Sequence, residues 1–348
     1  MRDCKTYLST LFLCLIGLIL SSYTLPDGVV SVFDRPFVQV TPPGISSQTA
    51  YCLLRDKHGF IWASTRNGID RYDGISYRHY TLGNEKMRTM HSGMSITIYC
   101  DEQGDIWAFT ERSDIYRFDP FADAFVEILY LPDYQIWGSV QALYCRGDLL
   151  VVGATDGITC YDIPTSTITK RLCPDENIHV FYSYRDNELL FGATRGVGIL
   201  DLKDLRGTLQ QWVRADIKSF YYDKNYQKLW IGSNGNGIFV VDPAHPKKIQ
   251  QVKKTEGLIV TDIKPYNDYE MLIASDGLGV WVVTNEESNE DAELRTLASA
   301  SGDSPYDLRT SVRHFICSRY VCDFISHYEL YCYGSLFDLC VWNNRAGI

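Results

Sequence analysis

Histidine, cysteine and carboxylate side chains are the groups in this sequence that could do chemistry, and their spacing decides which chemistry is open to them. The seven histidines are scattered, and no two stand at the spacing of metal ligands. Cys317 and Cys322 lie close together, but no second pair matches them, so a zinc ribbon is not indicated. The motifs Gly-x-Ser-x-Gly, His-Glu-x-x-His and Gly-Lys-Ser/Thr do not occur. The sequence therefore predicts no catalytic residue, no metal site and no cofactor.

Glycine-rich and acidic stretches could also suggest binding sites. Residues 196–198 and 235–237 carry paired glycines that could cradle a phosphate. Both lie between strand-like runs rather than at the start of a helix, so tight hairpin turns are the better interpretation. The acidic clusters near residues 101–105 and 286–291 could be calcium ligands or glycosidase carboxylates, but solvated turns and a loop explain them better.

The net charge argues against a nucleic acid partner, and the length of the chain indicates how large a core it can bury. The formal net charge is -10, and lysines and arginines form no long run, whereas binding to phosphates requires a basic surface. We therefore expect no nucleic acid partner. With 348 residues, of which 45% are hydrophobic, the chain can bury a large core as one all-β domain or two smaller domains.

The first residues have the pattern of a secretory signal. Arg2 and Lys5 precede an apolar run over residues 7–20, and small polar residues end it. The run is short for a membrane span, which needs about 20 apolar residues. We predict a signal peptide over residues 1–24, with an uncleaved signal anchor as the alternative.

The cysteines do not indicate a disulfide framework. Two of the eleven, Cys4 and Cys14, lie in the signal, so an odd number remains and complete pairing is impossible. Four others fall inside strand-like runs, where they are most simply small core residues: Cys52, Cys100, Cys145 and Cys160.

The elements that must position any site are short β-strands. Residues 60–74, FIWASTRNGIDRYDG, read as two strands joined by a turn at Asn67-Gly68, because both turn residues tolerate positive φ. Weaker copies recur about every forty residues, each with an apolar strand before it and most with another after it. Four antiparallel strands in a unit of this size are typical of a β-propeller blade. The sequence predicts an all-β propeller over residues 36–310, with six recognisable blades near 49–80, 95–128, 139–172, 179–213, 217–252 and 259–297.

The two ends of the chain bear on a seventh blade. Residues 37–40 read as an outer strand without its own blade, which propellers often pair with the last strands of the chain. The missing strands would lie after about residue 305, but residues 311–348 lack the pattern of the repeat. Either this tail is a divergent seventh blade, with strands near Phe315, Phe324 and Tyr331, or it is a foreign end produced by truncation or a change of reading frame. We favour the second interpretation because the composition shifts abruptly.

Propeller geometry groups the candidate binding residues. If the strands of each blade are labelled A to D from the channel outward, the B–C turns and the D–A connections lie on one face. Planar side chains beside charged and amide groups suit a carbohydrate, because aromatic faces stack on sugar rings while polar groups bond their hydroxyls. Each residue could instead be a turn former or a loop anchor, but for the face as a whole we favour binding. The candidates are Arg66, Asn67, Arg88, Arg112, Tyr134, Trp137, Asp156, Arg195, Asn234 and Asp276.

The strings IWASTRNGIDRYDG, with CLLRDKHG before it, and KLWIGSNGNGIFVVD resemble the two-component regulator propeller repeat. The resemblance implies the exported sensor half of a hybrid two-component regulator, with tandem propellers, a membrane helix, a histidine-kinase core, a receiver and an output domain. This chain carries only the start of that plan. It has neither the kinase dimerisation box nor the ATP lid, so we expect no kinase activity from it.

The preferred hypothesis is therefore a periplasmic ligand-sensing propeller, the N-terminal fragment of such a regulator, that recognises an oligosaccharide or another small ligand. A second propeller or a dimer mate is a further candidate partner. The membrane would be reached only through missing C-terminal domains or an uncleaved signal. The alternatives are a propeller-fold polysaccharide lyase or hydrolase and a non-catalytic protein-binding scaffold.

Overall fold

Backbone pairing in the computed structural model follows the repeat from blade to blade. The structure describes residues 37–39, 44–47, 50–83, 95–210, 212–267, 269–276, 279–284, 294–296, 312–318, 321–326 and 330–333. All of them belong to one compact unit, residues 35–298 and 304–348. Within these ranges the chain forms seven antiparallel sheets of four strands each and two short 3₁₀ turns, Leu131–Tyr134 and Lys253–Thr255. The fold is an all-β propeller, as predicted.

The first three blades each use four consecutive strands, in the order A to D. Blade 1 contains β2 (Ala50–Arg55), β3 (Ile61–Thr65), β4 (Gly68–Tyr72) and β5 (Tyr77–Tyr80). Blade 2 contains β6 (Ile96–Cys100), β7 (Ile106–Thr110), β8 (Asp114–Asp119) and β9 (Ala124–Tyr130). Blade 3 contains β10 (Val140–Arg146), β11 (Leu149–Ala154), β12 (Gly157–Asp162) and β13 (Thr167–Leu172).

The next three blades repeat this order. Blade 4 contains β14 (Ile178–Arg185), β15 (Glu188–Ala193), β16 (Gly196–Asp201) and β17 (Arg206–Leu209). Blade 5 contains β18 (Ile217–Asp223), β19 (Lys228–Ser233), β20 (Ile238–Val241) and β21 (Ile249–Gln251). Blade 6 contains β22 (Val260–Asn267), β23 (Glu270–Ser275), β24 (Gly279–Thr284) and β25 (Leu294–Thr296).

The seventh sheet joins the two ends of the described chain. Its outer strand is β1 (Phe37–Gln39), which pairs with β28 (Leu330–Tyr333); β27 (Val321–Ser326) and β26 (Val312–Ser318) follow inward. The inner strand β26 lies beside both β2 and β22, so the ring of blades closes. The seventh blade is thus divergent in sequence and complete in strand number, with strands where the divergent-blade interpretation put them. That the tail arose by truncation or a change of reading frame stays a prediction. The predicted signal peptide, residues 1–24, lies outside the described residues.

Aspartates close the A–B turns and hold the tryptophans of the next strand. In blade 1, Oδ1 of Asp56 accepts the backbone N–H groups of His58 and Phe60, and Oδ2 accepts the indole N–H of Trp62 at 2.8 Å. Asp101 repeats this in blade 2 with Trp107, at 2.9 Å. A carboxylate that accepts several N–H donors at once fixes both the turn and a buried ring. These bonds explain why the Asp-x-x-Gly turn and the tryptophan recur together.

The C–D turns use aspartate in the same way. Asp73 accepts the backbone N–H groups of Ser76 and Ile75, and Asp201 accepts those of Lys203 and Asp204. Because these donors favour the ionised form, the pKa of each carboxyl lies below its usual value. The turns therefore stay closed at neutral pH.

The core lies between neighbouring blades. Between blades 1 and 2, Trp62 is 1% exposed, stacks on Tyr80 at 5.6 Å between ring centroids and meets Phe118 edge-on at 4.9 Å. Similar buried clusters join blades 2 to 6 in succession. Cys52, Cys145 and Cys160 are buried in these clusters as expected, while Cys100 is half-buried. Among the described side chains, these four cysteines and Cys173 form no disulfide.

Candidate functional site

Most of the candidate residues lie at one end of the blades, which we call the mouth end. Pairing of Ala50 with Thr65 places the start of inner strand β2 beside the end of β3, where the B–C turn follows. Each D–A connection also arrives there, because it leads into the next inner strand. The A–B and C–D turns lie at the opposite end, which we call the base end. This arrangement brings the B–C turns and D–A connections together, as propeller geometry requires.

In blades 3 to 6, a recurring backbone hydrogen bond ties the B–C turn to the connection before its own blade. The N–H groups of Thr155, Thr194, Asn234 and Asp276 donate to carbonyl oxygens of residues 139, 177, 216 and 259, at 2.8 to 3.1 Å. Threonine closes the turn itself in blades 1 and 2, where Thr65 Oγ1 accepts the N–H of Asn67 and Thr110 Oγ1 that of Arg112, both at 3.2 Å. Turn and connection therefore form one rigid unit at the mouth end.

Several predicted residues anchor these connections. The Asn67 amide donates to the carbonyl of Ser46 at 2.5 Å, and the Asn234 amide donates to Asp216 at 2.8 Å. The Arg195 guanidinium pairs with Glu176, whose side chain is only 3% exposed. A buried carboxylate needs such a partner, because an uncompensated charge in the interior is costly. These contacts give the three residues a structural role, whatever else they bind.

The connection between blades 2 and 3 brings three predicted residues into one neighbourhood. Ser139 Oγ donates to the carbonyl of Glu111, the residue before Arg112, and the Ser139 N–H donates to Thr155. Gly138 lies so close to Asp156 that a Cβ on it would stand 1.9 Å from Asp156 Oδ1. Trp137, the residue directly before these anchors, is 77% exposed. A large indole ring on a held backbone and open to solvent is a suitable stacking surface.

Three further predicted residues, Tyr134, Asp276 and Arg66, lie apart from this group. The Tyr134 hydroxyl donates to the carbonyl of Ser166, in the C–D turn of blade 3, and its ring packs on Tyr161. That contact holds Tyr134 against the side of the blade, toward the base end. Asp276 is half-buried in the B–C turn of blade 6, and Arg66 and Arg112 are exposed. Arg88 lies outside the described residues.

Sequence reasoning missed a set of polar residues at the start of the inner strands: Gln141, His179, Asp216 and Lys218, which we call the polar arc. His179 Nδ1 lies 2.5 Å from Gln141 Oε1, and its Nε2 lies 2.8 Å from Asp216 Oδ1. Lys218 Nζ lies 3.3 Å from the other oxygen of Asp216. Burial, with Lys218 nearby, lowers the pKa of His179, so the imidazole is neutral at pH 7. The sequence did hold a clue, a polar residue directly after the first β-branched residue of each of these strands.

Three buried cysteines of the described residues are not activated as nucleophiles. Burial raises the pKa of Cys52 and Cys160 to about 11 and that of Cys145 to about 12, so these thiols stay protonated. No group of three or more histidine, cysteine or carboxylate side chains within these ranges is arranged to hold a metal ion. In the same part of the chain, no helix is long and apolar enough to cross a membrane.

Comparison with known proteins gives one family match and many structural ones. The model of the family described as two component regulator propeller matches residues 44–67. These residues include the Asp56 turn and the Trp62 strand, so the chain carries this repeat in blade 1. No curated protein matches the chain.

Solved structures share the fold at low identity. The extracellular domain assigned to a hybrid two-component system of B. thetaiotaomicron superposes with a TM-score of 0.65 and 19% identity, covering 86% of this chain and 42% of that one. A second such domain from the same organism superposes with a TM-score of 0.64 and 19% identity, covering 86% of this chain and 40% of that one. Virginiamycin B lyase from Staphylococcus aureus superposes with a TM-score of 0.64 and 12% identity, covering 85% of this chain and 97% of that one. The chain thus spans about two fifths of the length of the sensor domains it resembles.

Proposed function

We propose that this chain is the ligand-sensing propeller of a hybrid two-component regulator and that its mouth end recognises an oligosaccharide. The blade 1 repeat and the fold shared with extracellular domains of such systems support the sensor assignment. Those domains are more than twice as long, so signalling would depend on parts of the regulator beyond this propeller. Ligand binding would act by stabilising one arrangement of those parts over another.

The observation that carries the oligosaccharide assignment is the exposed indole of Trp137. A large ring that is 77% exposed adds little to the stability of the domain, yet the backbone is held after it by Ser139 and before it by the bond from the Ile136 N–H to the carbonyl of Leu131. A ring on a held backbone loses less conformational entropy when a ligand stacks on it than a ring on a loose loop. Arg112 and Asp156 belong to the two B–C turns that Ser139 and Gly138 contact, and they would bond hydroxyl groups of a stacked sugar.

We further propose that the propeller itself catalyses no reaction and acts after export to the periplasm. The buried thiols of Cys52 and Cys145 stay protonated, which supports the proposal for these two side chains. Cleavage of residues 1–24 would release the chain, and N-terminal sequencing of the protein from a cell fraction tests this. An intact N-terminus in the membrane fraction would indicate a signal anchor instead.

Isothermal titration calorimetry of the folded protein against pools of oligosaccharides from plant and microbial glycans tests the binding function. We expect at least one pool to bind, and Trp137→Ala to weaken that binding at least about tenfold through the loss of stacking. Phe121→Ala, at a ring that is 99% exposed at the base end, is the matched control and should bind normally. Absence of binding to every pool by a folded sample contradicts the proposal.

The same samples test the alternative of a polysaccharide lyase or hydrolase. Chromatography of each pool after incubation detects shortened or unsaturated products. Turnover that survives dialysis against a chelator, and is lost in the Trp137→Ala variant, would replace the sensor proposal by an enzymatic one. Binding without products supports the sensor.

A further inference from the structure

The inner strands share an irregularity at the mouth end. In five of the six consecutive blades, the ladder between strands A and B skips the second residue of strand A, so that this residue has no partner on strand B. The skipped residues are Tyr51, Gln141, His179, Lys218 and Thr261. Blade 2 pairs without a skip. A β-bulge re-aims the side chain of the extra residue, and bulges are frequent beside binding sites.

All five skipped residues have polar side chains and are half-buried. Their neighbours along the strand are mostly buried, as with Val140 and Ala142 around Gln141. A polar side chain at the start of an otherwise buried strand needs a polar surface to face. Because strand A is the innermost strand of each blade, that surface is the entrance of the channel.

In blades 3 to 5 the skipped residues form the polar arc together with Asp216, the residue before β18. His179 links Gln141 of blade 3 to Asp216 of blade 5, and Lys218 lies against the same carboxylate. Asn234 holds Asp216 in place from the B–C turn of blade 5. The arc is therefore a continuous row of hydrogen-bonding groups across three blades, and the bond from Asn234 holds its Asp216 in position.

The arc keeps hydrogen-bonding capacity that its internal contacts do not use. Within the described part of the chain, the amide nitrogen of Gln141 has no partner and Lys218 Nζ contacts only Asp216, so several N–H donors remain. The amide oxygen of Gln141 keeps a second lone pair as an acceptor, whereas Asp216 Oδ1 is buried out of reach of a ligand. With His179 neutral, the charges of Asp216 and Lys218 cancel. A neutral ligand rich in hydroxyl groups matches this mixture of donors and acceptors, and an ionic ligand does not.

The arc adjoins the indole proposed above as a stacking surface. Gln141 follows Trp137 by four residues, and an extended backbone of that length spans at most about 14 Å. Ser139, between them, is bonded on both sides and fixes the path. A ligand longer than one sugar ring can therefore contact the indole and the arc together.

We infer that the polar arc is a hydrogen-bonding subsite for a neutral sugar unit of the ligand whose neighbouring unit stacks on Trp137. This inference rests on the proposed sensor function and adds to it the residues and the charge class of the ligand. It places the binding of one sugar unit at the entrance of the channel in blades 3 to 5. The outer rim of the mouth end is not part of this subsite.

Calorimetry with two probe mixtures tests the inference: partial hydrolysates of neutral glucans, mannans and arabinans, and a partial hydrolysate of polygalacturonate. We expect a neutral mixture to bind and the acidic one not to. Gln141→Leu and Lys218→Met should each weaken binding about threefold to tenfold, the usual effect of removing one hydrogen bond to a ligand. Lys203→Met, at an exposed base-end turn, is the control for the loss of one positive charge.

The outcomes separate the two claims. If no mixture binds to the wild type, the proposed function and this inference both fail. If Trp137→Ala weakens binding while both arc variants bind like the wild type, only the subsite is wrong. Preferred binding of polygalacturonate fragments would overturn the assignment to a neutral sugar.

A measurement on the wild type covers the case in which an arc variant does not fold. Proton–nitrogen spectra of the histidine rings report each imidazole, and the His179 signals are identified by their loss in His179→Gln. Addition of the binding mixture should shift both ring nitrogens of His179, while His245, exposed at the base end, should not move. Unchanged His179 signals under saturating ligand would contradict the subsite.

Discussion

The base end and the mouth end of the blades use polar side chains in opposite ways. At the base end the same residue type recurs, and Asp56 and Asp101 each bond within their own turn. At the mouth end the side chains differ between blades and bond to connections and neighbouring blades, as His179 does. The regular residues thus build the blade, and the variable ones are the candidates for ligand contacts.

The largest expected effect comes from replacing a tryptophan that the base end holds. Trp107 is fully buried and its indole N–H donates to Asp101, so Trp107→Ala should lower the free energy of unfolding by about 3 to 5 kcal/mol. Thermal and urea denaturation followed by circular dichroism measure it. A loss below about 1 kcal/mol would break the comparison, because the base end would then not depend on its buried rings.

Removal of the carboxylate itself should have a somewhat smaller effect. Asp101→Ala leaves two turn N–H groups and a buried indole N–H without an acceptor, so we expect a loss of about 2 to 3 kcal/mol. Asp119→Ala removes an exposed turn acceptor that holds no ring, and should cost less than about 1 kcal/mol. Equal losses in denaturation experiments would mean that the indole bond is unimportant.

The mouth end should respond to pH through His179. Its pKa is held below 6.5 by burial and by Lys218, against the opposing pull of Asp216; Gln141 and Thr194 are its uncharged neighbours. A lowered pKa means that the unfolded chain binds the proton first. Stability from this group is therefore present above pH 6.5 and is lost as the pH falls through the pKa of the folded state. The melting temperature of the wild type should drop more between pH 7.5 and 5.5 than that of His179→Gln; equal drops would contradict this.

The smallest effect on stability is expected at the exposed ring of the mouth end. Trp137→Ala should change the free energy of unfolding by less than about 0.5 kcal/mol, because the indole is 77% exposed. The same substitution is expected to have the large effect on glycan binding described above. A destabilisation comparable to that of Trp107→Ala would show that the indole supports the fold, and the contrast between the two ends would disappear.

The base end was accessible to sequence reasoning because its interactions are local. The carboxylate of Asp56 and the indole of Trp62 are six residues apart, and the turn between them fixes their meeting. In blade 5 the turn after Asp223 is one residue longer, and the indole N–H of Trp230 is buried without a partner among the described residues. The repeat pattern identified that tryptophan, but only the structure shows that its bond is missing.

The mouth end was accessible only in part, because its contacts join residues that are far apart in sequence. Asn67 and Arg195 were selected as turn residues, and nothing in their type showed that one binds the Ser46 carbonyl and the other a buried glutamate. His179 was noted only as one of several scattered histidines. Its role depends on bulges in three inner strands that bring residues of different blades together.

The seventh sheet sets a minimum time for completion of the fold, because its strands come from the two ends of the described chain. Among the described strands, β1 pairs with β28 alone, so residues 37–39 lack this partner until residues 330–333 have been made. At roughly 5 to 20 residues per second, a ribosome needs about 15 to 60 seconds for the intervening chain. During that interval the ring is open and the unpaired edges beside the gap can pair with another molecule. Holdase chaperones that cover such edges are therefore expected to raise the yield of closed rings.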